Sequence, residues 1–164
     1  MYELADEAFK AAGMPWYELS NWARPGRESR HNLAYWHGQA WEAVGPGAHA
    51  FDGQRTRRWN EARLDGYLAA LAPADGLDVR LPPGDFETTD EPTATAEAAM
   101  LRLRTGAGLK VEEAAAFAGV LAWARSAGLV EEHANSLVLT MRGRLLSNEV
   151  FLRLLPEGQA TAAA

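Results

Sequence analysis

Residues 128–140 read Gly-Leu-Val-Glu-Glu-His-Ala-Asn-Ser-Leu-Val-Leu-Thr, and this stretch decides the fold of the C-terminal part of the chain. Two short apolar-rich runs flank Ala134-Asn135, so the pattern predicts a β-hairpin formed by residues 129–133 and 136–140. Gly128 precedes the hairpin and is the residue type expected just after a helix, where a left-handed backbone conformation favours glycine. The hairpin is therefore predicted to follow a helix directly.

The sequence on both sides of the hairpin has the apolar spacing of helices. This spacing predicts helices over about 93–104, 111–117 and 120–127, and a final helix that carries Leu146 and Val150. Three helices followed by a β-wing is the order of a winged helix. Residues 95–164 hold seven basic and seven acidic residues, so a structural or interaction wing is favoured over a DNA-binding one.

The N-terminal part is rich in aromatic residues, with ten of the fifteen Phe, Trp and Tyr residues before position 61. We expect this segment to be poorly stable alone or to pair with another chain, since an unpaired aromatic strand favours aggregation. The local patterns predict a helix over 2–12, strands over 16–23 and 41–44, and a helix over 60–71. The chain is divided into residues 1–72, a linker at 73–92, a C-terminal domain at 93–156 and a disordered tail at 157–164.

Length and composition limit the function classes. The chain has 164 residues, 16 basic against 22 acidic side chains, a net charge of −6 and no cysteine. A complete (β/α)₈ barrel needs about 250 residues, and nucleic-acid binding usually needs a basic surface, so both are disfavoured. No apolar run is long enough to span a membrane, and a cytoplasmic protein is expected. Without cysteine this chain alone holds no disulfide, thiolate nucleophile or ordinary iron–sulfur cluster.

The first candidate site is Arg30-His-Asn-Leu-Ala-Tyr-Trp36. A neutral imidazole at His31 is able to ligate haem iron, and Tyr35 and Trp36 are able to stack on a porphyrin. Spacing alone favours the simpler interpretation, in which the aromatic side chains pack in a core while His31 and Asn32 complete a turn.

Two further motifs are weaker. Val44-Gly-Pro-Gly-Ala-His49 is either a loop whose backbone N–H groups approach a ligand closely or a tight turn. Arg57-Arg-Trp-Asn60 is either a carboxylate or phosphate grip or, as favoured here, a solvated arginine pair above Trp59. The four histidines have no spacing typical of a metal site built from several ligands.

The order of these motifs resembles the radical S-adenosylmethionine haem chaperones, a family also described as oxygen-independent coproporphyrinogen III oxidase-like. The resemblance rests on Tyr17-Glu-Leu-Ser-Asn-Trp-Ala-Arg-Pro-Gly26, His31-Asn-Leu-Ala-Tyr-Trp36 and Val44-Gly-Pro-Gly-Ala-His49. Arg58-Trp-Asn60, Leu101-Arg-Leu-Arg104 and residues 139–150 extend it over about 1–155. It implies an α+β chain containing the terminal strands and helices of a partial radical-SAM (β/α) barrel, followed by a small helical, winged-helix-like C-terminal domain.

The resemblance also implies ligands for particular residues. His31 becomes the candidate haem ligand, and Asn32, Tyr35 and Trp36 would shape its pocket. Gly45, Gly47, Ala48 and His49 resemble the barrel-strand end that faces S-adenosylmethionine. The sequence departs from the family pattern at Ser29, where a cysteine is frequent, and at Ala43 and Ala50.

A larger departure is the lack of the CxxxCxxC motif, whose thiolates hold a [4Fe–4S] cluster in this superfamily. The chain thus resembles only the C-terminal portion of such a protein, and we expect no radical chemistry from it alone. A haem-binding and haem-transfer role is the leading hypothesis, with an unknown haem acceptor and with a cluster-bearing N-terminal half or a second copy as a partner. The alternatives are the substrate-covering domain of a coproporphyrinogen III oxidase-type oxidoreductase in porphyrin biosynthesis, and a winged-helix interaction or DNA-binding module.

Overall fold

The computed structural model describes residues 1–71 and 84–156, which form a mixture of helices and antiparallel sheets. The helices are α1 (Tyr2–Ala11), α2 (Arg30–Trp36), α3 (Leu64–Leu71), α4 (Glu91–Leu103), α5 (Val111–Ala114), α6 (Ala118–Ser126), α7 (Met141–Leu145) and α8 (Ser147–Leu154), and Ala115–Phe117 forms a 3₁₀ turn. The strands are β1 (Trp16–Glu18), β2 (Asn21–Trp22), β3 (His49–Phe51), β4 (Thr56–Asn60), β5 (Gly84–Thr88), β6 (Leu109–Lys110), β7 (Val130–His133) and β8 (Ser136–Leu139). The sheets of the described residues have two or three strands each, and none of them closes into a barrel.

The chain divides into two compact units. The first combines Met1–His37 with the described residues from Thr95 onwards, and the second is Gly38–Ala94. The domain boundaries drawn from the sequence stay predictions. Residues 72–83 of the expected connection and the tail at 157–164 lie outside the described residues, while Gly84–Thr88 of the expected linker forms strand β5.

The core of the first unit is made by its C-terminal helices and a three-stranded sheet with the strand order β6-β8-β7. The predicted hairpin is confirmed, with Val130 opposite Leu139 and His133 opposite Ser136. Ala134 and Asn135 both have positive φ, at 46° and 64°, as a tight two-residue hairpin turn requires. The fully or almost fully buried side chains of this core include Leu103, Leu109, Ala124, Val150 and Phe151.

Helix α6 ends as the sequence predicts. Ala127 is its last cap residue, and Gly128 follows with φ of 69°. The hydroxyl of Thr140 then donates to the carbonyl of Gly128 at 2.7 Å and accepts from the Gly143 amide at 2.9 Å, so it caps α7. One threonine thereby joins the end of one helix to the start of another.

The N-terminal segment packs within the same unit. The single strand expected over 16–23 is wrong, because the chain turns at Leu19-Ser20 and forms the short antiparallel pair β1–β2. The backbone in and just after β1 forms hydrogen bonds with the segment that follows α4. Leu19 N donates to Arg104 O at 2.9 Å, and Gly106 N donates to Tyr17 O at 2.8 Å. These bonds tie the aromatic N-terminus to the C-terminal core.

The second unit is built on the antiparallel sheet β3-β4-β5. The strand predicted near 41–44 is wrong: Trp41 makes only an isolated bridge to Phe51, and the strand lies at His49–Phe51. The predicted helix begins at Leu64 instead of Asn60, because Asn60 is the buried last residue of β4. In the described part of the chain, no helix is both long enough and apolar enough to cross a membrane.

Candidate functional site

Helix α2 positions the side chains of the first candidate site, which lies in the first unit. The hydroxyl of Ser29 accepts a hydrogen bond from the Asn32 amide at 3.3 Å and so caps the start of the helix. His31 follows in the first turn with an exposed imidazole. Tyr35, one turn further, meets the His31 ring edge-on, with the ring centroids 4.9 Å apart and an interplanar angle of 84°. The helix therefore exposes an imidazole whose orientation is restricted by the Tyr35 ring.

Trp36 lies at the end of α2 and contacts a cation. The guanidinium carbon of Arg104 is 5.5 Å from the Trp36 ring centroid and 4.8 Å from that of Phe151. Arginine stacks on aromatic faces in this way through cation–π attraction. The Trp36 indole Nε1 is buried and has no acceptor among the described residues. The end of α2 thus combines a stacked guanidinium with an unused N–H donor.

The surroundings of Trp36 are electropositive. Partial burial and the charge of Arg102 lower the pKa of His37, the residue that ends α2. Burial also lowers the pKa of Arg104, and the carboxylate of Glu18 opposes this effect from a distance. Such a group of cations beside aromatic rings suits a flat ligand that carries negative charge.

His31 has the chemistry of a single axial ligand. One neutral imidazole is sufficient to bind a haem iron at one face, because the porphyrin supplies the other four nitrogen ligands. In residues 1–71 and 84–156 no group of three or more His, Asp or Glu side chains is arranged to hold a metal ion.

The second candidate site is the loop before β3, in the second unit. Gly45 and Gly47 have φ of 101° and 66°, which a residue with a Cβ rarely adopts. The Asn60 amide Nδ2 donates to Gly45 O at 2.9 Å and to Ala43 O at 3.3 Å. Asn60 N also donates to Ala48 O at 2.9 Å. One buried asparagine thus sets the path of the whole loop.

The backbone N–H groups of this loop are already used inside the unit. Gly45 N donates to the Tyr67 hydroxyl at 3.1 Å, Gly47 N to Glu61 O at 3.0 Å, and Ala48 N to Gly45 O at 3.4 Å. His49 is exposed, and its ring lies 5.7 Å from that of Trp59. The carbonyls of Ala43, Gly45 and Ala48 also accept hydrogen bonds, so a ligand at this loop would first meet the exposed His49 side chain.

The arginine pair of β4 is engaged within its own unit. Arg57 pairs with Glu87 at 3.5 Å and also lies over the Phe51 ring. Arg58 forms an ion pair with Glu42 and donates to Asn60 Oδ1 at 3.4 Å. Both arginines thus form ion pairs and are partly buried, whereas the sequence favours a solvated arginine pair above Trp59.

Sequence reasoning missed two residues that organise these sites. The sequence pattern predicts a helix that starts at Asn60, whereas Asn60 is the buried last residue of β4, and the run Thr-Arg-Arg-Trp before it has no strand-like alternation. Arg104 was noted only as part of Leu101-Arg-Leu-Arg104, and nothing in that run predicts its stacking on Trp36 and Phe151.

The chain is similar in sequence to known haem chaperones. No family model matches the chain. It is 43% identical over 155 residues to the "Heme chaperone HemW" of Mycobacterium tuberculosis, covering 94% of this chain and 38% of that protein. It is 34% identical over 166 residues to the "Heme chaperone HemW" of Bacillus subtilis, covering 96% of this chain and 42% of that protein.

The solved structure of "Coproporphyrinogen III oxidase (HemN) from Escherichia coli is a Radical SAM enzyme" shares the fold. The TM-score is 0.63 at 16% sequence identity, and the match covers 93% of this chain and 39% of that one. Fold and sequence together place the chain in the class of radical S-adenosylmethionine haem chaperones and coproporphyrinogen III oxidase-like proteins. Within that class it is a relative of heme chaperone HemW and resembles the C-terminal portion of the family. The chain spans about two fifths of the length of these relatives.

Proposed function

We propose that this chain is the haem-binding part of a haem chaperone-like protein, and that His31 ligates the haem iron. The observation that carries the proposal is the exposed imidazole of His31 on the first turn of α2, held edge-on by Tyr35. The similarity to proteins named heme chaperone supports haem as the cargo. The bound haem would then be transferred to an acceptor protein.

Each residue of the motif has a separate role in this proposal. His31 supplies a nitrogen lone pair to the iron, and Tyr35 orients the imidazole. Asn32 lies one turn before Trp36 on the helix, so both side chains would border the porphyrin on the same flank. The capped start of α2 at Ser29 keeps this short helix formed while His31 remains exposed.

The wider family also uses a [4Fe–4S] cluster and S-adenosylmethionine, and the residues of this chain suit these two cofactors differently. A [4Fe–4S] cluster is held by cysteine thiolates, and this sequence has no cysteine, so its residues do not fit the cluster. For S-adenosylmethionine, we propose that Gly45, Gly47, Ala48 and His49 contact the cofactor in a complete protein of the family. The exposed His49 side chain is the group available for that contact.

We further propose an architecture and location in line with this role. The three-stranded sheet with α4, α5 and α6 would form the winged-helix-like domain, and the remaining strands and helices would belong to the end of a partial barrel. The shared fold with the oxidase structure supports this assignment. The protein would act in the cytoplasm, together with a cluster-bearing segment or a second copy of the chain.

A spectroscopic titration tests the haem proposal. Addition of hemin to the 164-residue chain is expected to give a Soret band of an imidazole-ligated haem, and His31→Ala is expected to abolish it. His133→Ala is the matched control, because His133 is exposed in the β7–β8 hairpin and has no part in the proposal. An unchanged Soret band in the His31→Ala variant would overturn the assignment.

A further inference from the structure

We propose that Arg104 binds a carboxylate of the porphyrin whose iron His31 ligates, with the guanidinium held in place by Trp36 and Phe151. This inference rests on the proposed function and adds a second contact, one that is independent of the iron. It concerns the first unit alone, since α2, Arg104 and Phe151 all belong to it.

The stacking of Arg104 fixes a charge without neutralising it. The guanidinium carbon lies 5.5 Å from the Trp36 ring and 4.8 Å from the Phe151 ring. Phe151 is buried in the core through α8, and Trp36 is half-buried. Two aromatic contacts therefore restrict the arginine side chain, which lowers the entropy that binding an anion would cost.

Among the described residues, the Arg104 guanidinium donates no hydrogen bond and forms no ion pair. Arg144, which is also stacked on an aromatic ring, does both. Arg144 lies 4.7 Å from the Trp16 ring and also forms a bidentate pair with Asp6. Glu18 is the acid that acts on Arg104, but its oxygens accept hydrogen bonds from Asn21 Nδ2 and Ser20 N. The donors of the Arg104 fork thus remain available.

A second unused donor lies on the same stack. Trp36 Nε1 is buried without an acceptor among residues 1–71 and 84–156. A buried donor left without an acceptor is destabilising, so structures usually supply it with a partner. The Arg104 guanidinium and the Nε1–H of the Trp36 ring on which it stacks are thus both donors for an acceptor from outside the chain.

The chemistry selects a carboxylate that belongs to a flat molecule. A guanidinium fork matches the two oxygens of a carboxylate in geometry and charge. The two aromatic rings beside the cation, and His31 on the same helix as Trp36, favour a planar ring over a small free acid. Haem carries propionate groups on its ring edge, so one molecule meets both requirements.

The test separates the carboxylate contact from the iron contact. The affinity of the full chain is measured for metal-free protoporphyrin and for its dimethyl ester by porphyrin fluorescence, and for hemin and its dimethyl ester by absorbance. Arg104→Met keeps an apolar stem of similar length and removes the charge. We expect this variant to bind the free-acid porphyrins about tenfold or more weakly, since charge-assisted hydrogen bonds are lost, and to bind the diesters as the wild type does.

Control variants and ligands distinguish the outcomes. Arg153→Met removes another stacked arginine, above Trp123, and is expected to change no porphyrin affinity. In His31→Ala, the Arg104 dependence with metal-free porphyrin is expected to persist. An unchanged hemin Soret band in His31→Ala, together with this persistent Arg104 dependence, would thus overturn the His31 assignment and leave the carboxylate contact supported.

Two results would overturn the Arg104 proposal. The first is an equal acid-to-ester affinity ratio in the wild type and Arg104→Met. The second is Arg104-dependent binding of succinate together with porphyrin binding that ignores esterification, which would assign the site to free carboxylates. Should Arg104→Met fail to fold, Arg104→Lys serves instead, because it keeps the charge and removes the guanidinium fork. If Arg104→Lys prefers the free-acid porphyrin over the ester as strongly as the wild type does in excess salt, the guanidinium fork is not the source of that preference.

Discussion

Asp6 in α1 and Arg144 in α7 form a bidentate ion pair across 138 positions of sequence, with Nη1–Oδ1 and Nη2–Oδ2 distances of 2.8 and 3.2 Å. Trp22 Nε1 donates to the same Asp6 Oδ1 at 2.6 Å, and Tyr2 lies against the arginine. The two charged side chains are only 12% and 9% exposed. The first helix of the chain is therefore held to its C-terminal helices by a buried charge pair.

Removal of one partner is expected to destabilise the protein strongly. Asp6→Ala leaves the Arg144 charge buried without its partner, which typically costs about 3–5 kcal/mol of unfolding free energy. Urea denaturation measures the loss. Asp65→Ala is the control, because its pair with Arg63 is largely exposed and no measurable loss is expected. Equal stability of the two variants would contradict the structural role of the Asp6–Arg144 pair.

The same pair predicts how stability depends on acid. Hydrogen bonds from Arg144, and from Trp22, outweigh burial and hold the pKa of Asp6 below its ordinary value of 3.8. The folded state therefore binds this proton more weakly than the unfolded state, so the contribution is complete above the unfolded pKa and is lost as the pH falls through the folded pKa.

The comparison of wild type with Asp6→Asn measures this contribution. The difference in unfolding free energy is expected to be constant above about pH 5 and to shrink below the ordinary carboxyl pKa. A difference that grows on acidification would show that the Asp6 pKa is shifted in the opposite direction.

Two glycines in helices are expected to respond to alanine in opposite ways. A Cβ at Gly143 would overlap the Leu129 carbonyl, which is backbone and unable to rotate away, so Gly143→Ala is expected to cost about 1–3 kcal/mol. A Cβ at Gly119 in α6 meets nothing within 4 Å, and Gly119→Ala is expected to gain about 0.5–1 kcal/mol from helix propensity. Thermal unfolding of both variants checks the sign, and a stabilised Gly143→Ala protein would refute the close approach.

The loop before β3 is expected to loosen when Asn60 is truncated. Asn60→Ala removes the amide that donates to the carbonyls of Ala43 and Gly45, a loss of about 1–3 kcal/mol. Hydrogen exchange at the Gly45 and Gly47 amides should accelerate together. Tyr67→Phe removes only the acceptor of Gly45 N, so it should accelerate Gly45 and spare Gly47. Protected loop amides in Asn60→Ala would contradict the anchoring role.

The C-terminal helices and the hairpin were predictable because their signals are local. Gly128 with positive φ, the Ala134-Asn135 turn and the three- and four-residue apolar spacing each report on a few neighbouring residues. The sheet of the second unit was less accessible. The sequence predicts a strand near 41–44 ahead of the turn Gly45-Pro46-Gly47, whereas this loop hydrogen-bonds to Asn60 and the strand begins only at His49.

The candidate sites show the same limit. The sequence singles out His31-Asn-Leu-Ala-Tyr-Trp36 as a motif, and the structure places this motif on helix α2, while its role as a site stays a prediction. Asp6 and Arg144 lie more than a hundred positions apart in sequence. Arg104 and Trp36 also come from separate segments of the chain. Arginine and aspartate have many exposed positions in this chain, and no spacing rule distinguishes the few that the fold brings together.

The discontinuous make-up of the first unit governs when it is able to fold during synthesis. Gly38–Ala94 is continuous, so the second unit has all its residues once the ribosome has passed it. Met1–His37 is made before the second unit, yet its partners include Arg144, which is made after that unit. The Tyr2 and Trp16 rings consequently lack the Arg144 guanidinium that covers them until the second unit has been made, and in the meantime they are open to holdase chaperones or to misassociation on the polysome.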